Sequence, residues 1–248
     1  MTDRTPSLLV TGGGRGIGRA TALRFAREGW GIALLARSRG EVAATCADVE
    51  AAGGRALAAA GDVTREEEVE AAVRLAEERF GGIDVLVNNA GLFRVRPLAE
   101  LDAAAWRATI DTNLTGAYFA TRAVVRRMLA QAAPRGNGAS RVRAIVNVAS
   151  EAARKGFAGS TAYCASKYGL LGFGDALREE LRPLGIRVLN VLPGQVDTRA
   201  WDGCGLDLER LGIRRDRMLR PESVADAIAH AVLAPGAAVA EEILLKPL

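Results

Sequence analysis

Lysine and histidine are scarce in this chain: Lys155, Lys167 and Lys246 are the only lysines among 33 basic residues, and His230 is the only histidine in 248 positions. A histidine triad or multi-histidine metal site would have to be built around that one residue. It lies in an amphipathic stretch starting at Glu222, where a structural role is expected. Cys46, Cys164 and Cys204 are odd in number, widely spaced and lack a Cys-x-x-Cys pair. That argues against a disulfide framework and a zinc site, so no metal is expected. No apolar run approaches the roughly 18 residues of a spanning helix, and Met-Thr-Asp-Arg-Thr-Pro contains no signal-peptide core. A soluble, cytoplasmic protein without a membrane partner is expected. The formal charge of +4 comes from interspersed basic and acidic residues, a solvated surface rather than a nucleic-acid footprint. No break in composition marks a linker, so residues 1–248 are expected to form one domain.

What is present is a regular alternation of strands and helices. Short apolar runs at Ser7–Thr11, Gly31–Ala36, Arg55–Ala60, Ile83–Val87, Val142–Val148, Ile186–Leu192 and Glu242–Leu245 read as strands. Helical periodicity follows at Arg19–Glu28, Glu41–Ala52, Arg65–Phe80, a long region from Ala103 to Ala133, and the segment from Ser160 to Pro183. Pro134–Ser140 reads as a loop.

The first strand runs into Gly12-Gly-Gly-Arg15-Gly16-Ile17-Gly18 and then a helix. Glycines let the backbone approach a pyrophosphate, and the N-terminal end of the helix favours its charge. The second strand ends in Arg37-Ser38-Arg39, without the carboxylate that would hold a 2′-hydroxyl. Together with Arg15, these arginines suit a 2′-phosphate, so NADP is favoured and NAD is the alternative. Asp62 ends the third strand, either accepting a hydrogen bond from an adenine amino group with Val63 over the ring, or capping the next helix. Asn88-Asn89-Ala90-Gly91 follows the fourth strand at the edge of the expected cofactor cleft. Asn113 is an amide in a helix interior, where its low propensity invites a reason. Ser150 stands at the end of a central strand, where open α/β sheets bind ligands. Tyr163 and Lys167 are four residues apart on a helix and therefore share a face.

In that order and spacing, the glycine loop, Asp62-Val63, Asn88 to Gly91, Asn113, Ser150 thirteen residues before Tyr163-x-x-x-Lys167, and Pro193-Gly194 with Thr198 resemble the short-chain dehydrogenase/reductase family over essentially the whole chain. The resemblance implies a Rossmann-type doubly wound sheet of seven parallel strands in the order 3-2-1-4-5-6-7, with helices on both faces. It implies that Tyr163 protonates a carbonyl oxygen, or accepts the proton in reverse. Lys167 then lowers the tyrosine pKa and binds the nicotinamide ribose. Ser150 stabilises the substrate oxygen, and Asn113 holds a water linked to Lys167. Thr198 and the backbone at Val196 bind the nicotinamide carboxamide, beside Pro193 and Gly194.

Arg199 to Arg220 is expected to be a flap over the substrate. Trp201, Leu206, Leu208, Leu211, Ile213 and Met218 supply an apolar lining, and Arg210, Arg214, Arg215, Arg217 and Arg220 attract a carboxylate or phosphate. A mobile segment with a solvated face is the plainer reading of the same pattern. The expected substrate is a small-molecule ketone or 3-oxo acid, or the corresponding alcohol. Two features depart from the commonest family pattern: a longer loop at Ala133–Arg143, and a C-terminus without the glycine pair of many acyl-carrier-protein reductases. The latter weakens the case for a tetramer contact through the tail, leaving a homodimer or homotetramer built through the long helices around Asn113 and Tyr163. The rivals are a non-catalytic cofactor sensor, which would be expected to lose Ser150, Tyr163 or Lys167, and an epimerase or dehydratase, which would need a longer chain.

Overall fold

The computed structural model describes residues 4–131, 142–235 and 239–248. The Pro134–Ser140 loop and most of the Ala133–Arg143 segment lie outside them. Among the described residues, seven parallel strands form one sheet: β1 Ser7–Thr11, β2 Gly31–Ala36, β3 Arg55–Ala60, β4 Val85–Asn88, β5 Ala144–Val148, β6 Arg187–Pro193 and β7 Glu242–Leu245. Their order is β3-β2-β1-β4-β5-β6-β7, as the resemblance implies. The chain therefore reverses its direction of travel across the sheet between β1 and β4, and in such sheets ligands bind beyond the strand ends at that point.

Central parallel strands are covered on both faces, so they read as continuous apolar runs. β1 and β4 are buried at every position. Alternation still divides their side chains: Leu8 and Val10 face one layer and Leu9 the other. The first layer packs on α1 Gly16–Ala26, α2 Arg39–Ala51 and α7 Pro221–Leu233 through residues such as Phe25, Val42 and Ile228. The second packs on α3 Glu66–Phe80 and the helices after β4 through Val73, Val124 and Met128.

The long helix expected between Ala103 and Ala133 is two helices, α4 Ala103–Ile110 and α5 Gly116–Ala130, joined by a π-helical turn over Asp111–Thr115. The wider turn centres on Asn113, whose side chain leaves the helix to bond elsewhere. Local propensity reports an awkward residue there, but only tertiary bonding determines the turn. The last long helix, α6 Thr161–Leu181, carries Tyr163 and Lys167 in its first two turns.

A row of amides crosses the sheet interior. Asn88, Asn147 and Asn190 stand in register on β4, β5 and β6, each nearly or fully buried. Asn88 Nδ2 donates to Asn147 Oδ1 at 3.0 Å and to Thr121 Oγ1 at 2.8 Å. Asn147 Nδ2 donates to Asn190 Oδ1 at 3.1 Å, and Asn190 Nδ2 to Asp175 Oδ1 at 3.1 Å. A buried amide without partners costs about 1–3 kcal/mol, and the bonds along the row offset that cost for every side-chain polar atom of the three but Asn88 Oδ1, which has no partner among the described residues. Gly174 leaves room for it, since a Cβ there would collide with Asn190.

Candidate active site

A cleft of about 680 Å³ opens above the ends of β1 and β4. Its floor is the glycine loop, where Gly12 (φ +66°) and Gly16 (φ +55°) adopt backbone conformations that side chains disfavour. Gly18 has a steric role, because a Cβ there would meet the Gly12 carbonyl and the Asn89 amide. That amide fixes the loop: Asn89 Nδ2 donates to the Thr11 and Gly12 carbonyls at 3.0 and 3.1 Å. The backbone N–H groups of Asn89 and Ala90 each donate to Thr11 Oγ1 at 3.0 Å. The concavity thus depends on glycine at these positions, which fits a pyrophosphate at the start of α1.

At one end of the cleft, Arg15, Arg37 and Ser38 reach the wall with Asp62 and Val63 opposite. Both alternatives for Asp62 bear on its second oxygen only, because Asp62 Oδ1 already accepts from Thr64 N and Thr64 Oγ1 at 2.9 Å each. Sequence reasoning missed Glu41. No carboxylate follows β2 directly, but the first turn of α2 brings Glu41 into the same wall. Its Oε1 lies 3.5 Å from Arg15 Nη1 and 3.4 Å from Arg199 Nη1. The helical offset of three residues from Ser38, whose Oγ caps α2 by accepting from Glu41 N at 3.3 Å, was the available signal.

At the other end, Tyr163 and Lys167 line the cleft, Lys167 with 4% of its surface exposed. Lys167 Nζ donates to the Val148 carbonyl at 2.8 Å and lies 5.8 Å from the Tyr163 ring centroid. Burial pushes the Lys167 ammonium down to about 8. Burial also pushes the Tyr163 phenol up to about 12, against the opposing effect of a hydrogen bond with Ser150. Desolvation is the largest influence on the phenol. Ser150 Oγ accepts from Ala152 N at 3.1 Å, leaving its own proton to donate.

Asn113, 1% exposed, does not reach the cleft. Its Oδ1 accepts from Leu92 N at 2.7 Å, and its Nδ2 donates to the Leu92 carbonyl at 3.0 Å and to Ser166 Oγ at 2.9 Å. Ser166 Oγ in turn donates to the Tyr163 carbonyl at 2.7 Å. Asn113 thus joins the loop after β4 to the start of α6. Gly91 lies between its Oδ1 and Lys167 Nζ, each within 4 Å of where a Cβ would stand.

Of the residues named from sequence, Gly12, Arg15, Gly16 and Ile17, Arg37, Asp62 and Val63, Asn89 to Gly91, Tyr163, Lys167 and Thr198 line the cleft. Gly18, Asn113, Ser150, Pro193, Gly194 and Val196 are not among the residues that line it. The Val196 carbonyl is already occupied, accepting from Trp201 Nε1 at 2.8 Å.

Phe93 is a second residue that sequence reasoning missed. Its ring meets Tyr163 edge-on at 4.8 Å and Trp201 at 5.3 Å, with Phe157 at 6.4 Å. A chain that is only 5% aromatic thus gathers three rings around Phe93, one of them the Tyr163 phenol. The expected flap divides in use. Trp201 joins this wall, Cys204 and Met218 are buried, and Leu211 is exposed. Arg214 and Arg215 pair with Asp216 and Asp202 at 2.5 and 2.6 Å.

Among the described residues there is no cluster of potential metal ligands and no helix long and apolar enough to cross a membrane.

A family model described as short chain dehydrogenase matches residues 7–207. A 3-oxoacyl-[acyl-carrier-protein] reductase of Synechocystis is 36% identical over 240 residues, covering 96% of this chain and 94% of that protein. A sepiapterin reductase of Chlorobaculum tepidum is 33% identical over 247 residues, covering 97% and 95%. Among solved structures, levodione reductase superposes with a TM-score of 0.85 at 28% identity, over 98% of this chain and 97% of that one. An alcohol dehydrogenase from Thermococcus sibiricus, complexed with 5-hydroxy-NADP, gives 0.84 at 25% identity over the same shares.

Proposed function

The chain belongs to the short-chain dehydrogenase/reductase family, and we propose that within it this protein is an NADPH-dependent reductase of a ketone or 3-oxoacyl-type carbonyl. It is an oxidoreductase acting on CH–OH donors and the matching carbonyls, in a family that binds NAD or NADP. The observation that carries the proposal is the placement of Tyr163 and Lys167, four residues apart on α6, together in a glycine-floored cleft.

When bound, the nicotinamide supplies the hydride. Tyr163 gives its proton to the carbonyl oxygen as charge develops there. Burial favours the protonated phenol, the form that can donate. Ser150 donates its free hydroxyl proton to the same oxygen. Lys167, beside the ring, supplies a positive charge that steadies the phenolate left when Tyr163 gives up its proton. Its remaining N–H groups bind the nicotinamide ribose. Asn113 acts on this centre through Leu92 and Ser166, which set the positions of Gly91 and Tyr163. Gly12, Arg15, Gly16, Ile17 and Gly18 hold the pyrophosphate side, Asp62 and Val63 the adenine, and Asn89 to Gly91 the central cleft. The segment from Pro193 through Gly194 and Val196 to Thr198 holds the carboxamide end.

The preference for NADPH is supported by Arg15 and Arg37 at the adenosine end. Glu41 is the observation that favours the second reading, an NAD-dependent dehydrogenase, because a carboxylate in the same wall opposes a 2′-phosphate. Kinetics on a carbonyl panel with both cofactors decide between them: a higher kcat/KM with NADH would overturn the preference. The Synechocystis relative supports 3-oxoacyl substrates, and the rings of Phe93, Phe157 and Trp201 support an apolar group next to the reacting carbon. We also infer a homodimer or homotetramer, since Trp106, Tyr118 and Tyr168 are exposed on α4, α5 and α6. Light scattering on the purified protein tests that, and a monomer would exclude it.

A further inference from the structure

We propose that Arg199 is a third ligand for the 2′-phosphate of the cofactor and that Glu41 is its internal competitor, so that this carboxylate sets how strongly the enzyme selects NADP over NAD. The inference rests on the reading of Arg15 and Arg37 as phosphate-binding residues and extends it to two residues that the sequence pattern did not single out. Arg199 lies far from them in sequence, at the start of the expected flap. In space, a single oxygen of Glu41 holds both guanidinium groups, Arg15 at 3.5 Å and Arg199 at 3.4 Å. All three residues line the cleft with Arg37 and Ser38. Arg37 has no ion-pair partner among the described residues.

An anion bound between two cations and a serine hydroxyl is what a phosphate monoester requires. Here the carboxylate already occupies that position. Glu41 can turn away, because it is 31% exposed and near the helix end, and Arg199 at 70% exposed is free to follow a new anion. A dianionic phosphate with three acceptor oxygens then displaces one carboxylate from the guanidinium pair, at the cost of the two existing ion pairs. A cofactor carrying only a hydroxyl has no such exchange to make. Glu41 therefore weakens NADP binding while leaving NAD nearly untouched, and Arg199 strengthens NADP alone.

Arg199 also belongs to the short helical turn Arg199–Trp201, whose other end stacks on Phe93 beside Tyr163. One turn thus touches both ends of the cleft, and a phosphate that draws Arg199 inward pulls on the aromatic wall.

The test is calorimetric binding of adenosine 2′,5′-bisphosphate and of 5′-AMP to the whole protein and to Glu41→Gln, Arg199→Gln and the double variant, with melting curves to confirm folding. Glu41→Gln should tighten the bisphosphate about fivefold and leave 5′-AMP unchanged, and Arg199→Gln should weaken the bisphosphate by a similar factor. Equal effects on both nucleotides, or no effect of Arg199→Gln in either background, would overturn the proposal. The underlying cofactor reading is judged separately by the unaltered protein. If that protein binds both nucleotides equally but Glu41→Gln gains a preference that Arg199→Gln removes, the NADP reading fails and the competitor role stands. If no variant discriminates, both fail.

Discussion

The two ends of the cleft use charge in opposite ways. At the catalytic end a half-buried phenol and a buried ammonium have lost much of their water, which moves both from their ordinary values, the lysine down and the tyrosine up. At the adenosine end, three arginines and a glutamate remain largely in solvent, where charge pairs are weak and screened. The contrast teaches where substitution is severe and where it is graded. Chemistry needs groups with altered proton affinity, and only burial supplies that. Selectivity between two cofactors needs a modest difference in binding, which exposed charges supply.

The largest effect is expected at the buried end. Tyr163→Phe should lower kcat/KM for carbonyl reduction by about 10²–10⁴-fold, the usual worth of a positioned general acid, with nucleotide affinity nearly unchanged. Turnover that survives would remove the proton donor from the mechanism. Arg37→Ala should raise KM for NADPH about tenfold, as expected for losing a charge-assisted bond, and leave KM for NADH unaltered. A parallel rise for both cofactors would assign Arg37 to general nucleotide binding.

Lys167 sharpens the contrast through stability. Its native pKa, about 8, lies below the ordinary 10.5, so between these values the unfolded chain binds more protons and stability rises with pH. Below about pH 8 the penalty for the buried charge is fully present. Tyr163 shifts the other way and costs stability only above pH 10. Urea unfolding between pH 8 and 10 should therefore show a rise for the unaltered protein that is missing in Lys167→Met; identical slopes would mean the lysine is not depressed. The smallest effect is expected from salt. Raising ionic strength should narrow the proposed NADPH preference while leaving kcat at saturating cofactor constant, because screening reaches the exposed end alone.

Strand positions were legible because parallel strands buried on both faces spell apolar runs ended by glycine or polar residues, as Leu8 to Val10 before Gly12 illustrates. Tyr163, Lys167 and Ser150 were legible because helical spacing and strand ends are local features. Glu41, Phe93 and Arg199 were not, since each joins the site from an element whose neighbours are decided by packing. The π-helical turn left only a trace, the unfavourable Asn113, because its cause is a loop 21 residues earlier.

The three amides buried in the sheet stand at one level, and three residues beyond each lies part of the cleft or its wall: Gly91 after Asn88, Ser150 after Asn147, Pro193 after Asn190. If one strand slid by a single residue, its amide would turn to the opposite face and leave the others unsatisfied. The row works as a reference line scribed across adjoining planks. By fixing where each strand begins to be counted, it fixes how far each projects, and so the spacing between a serine hydroxyl and a phenol that lie on different elements.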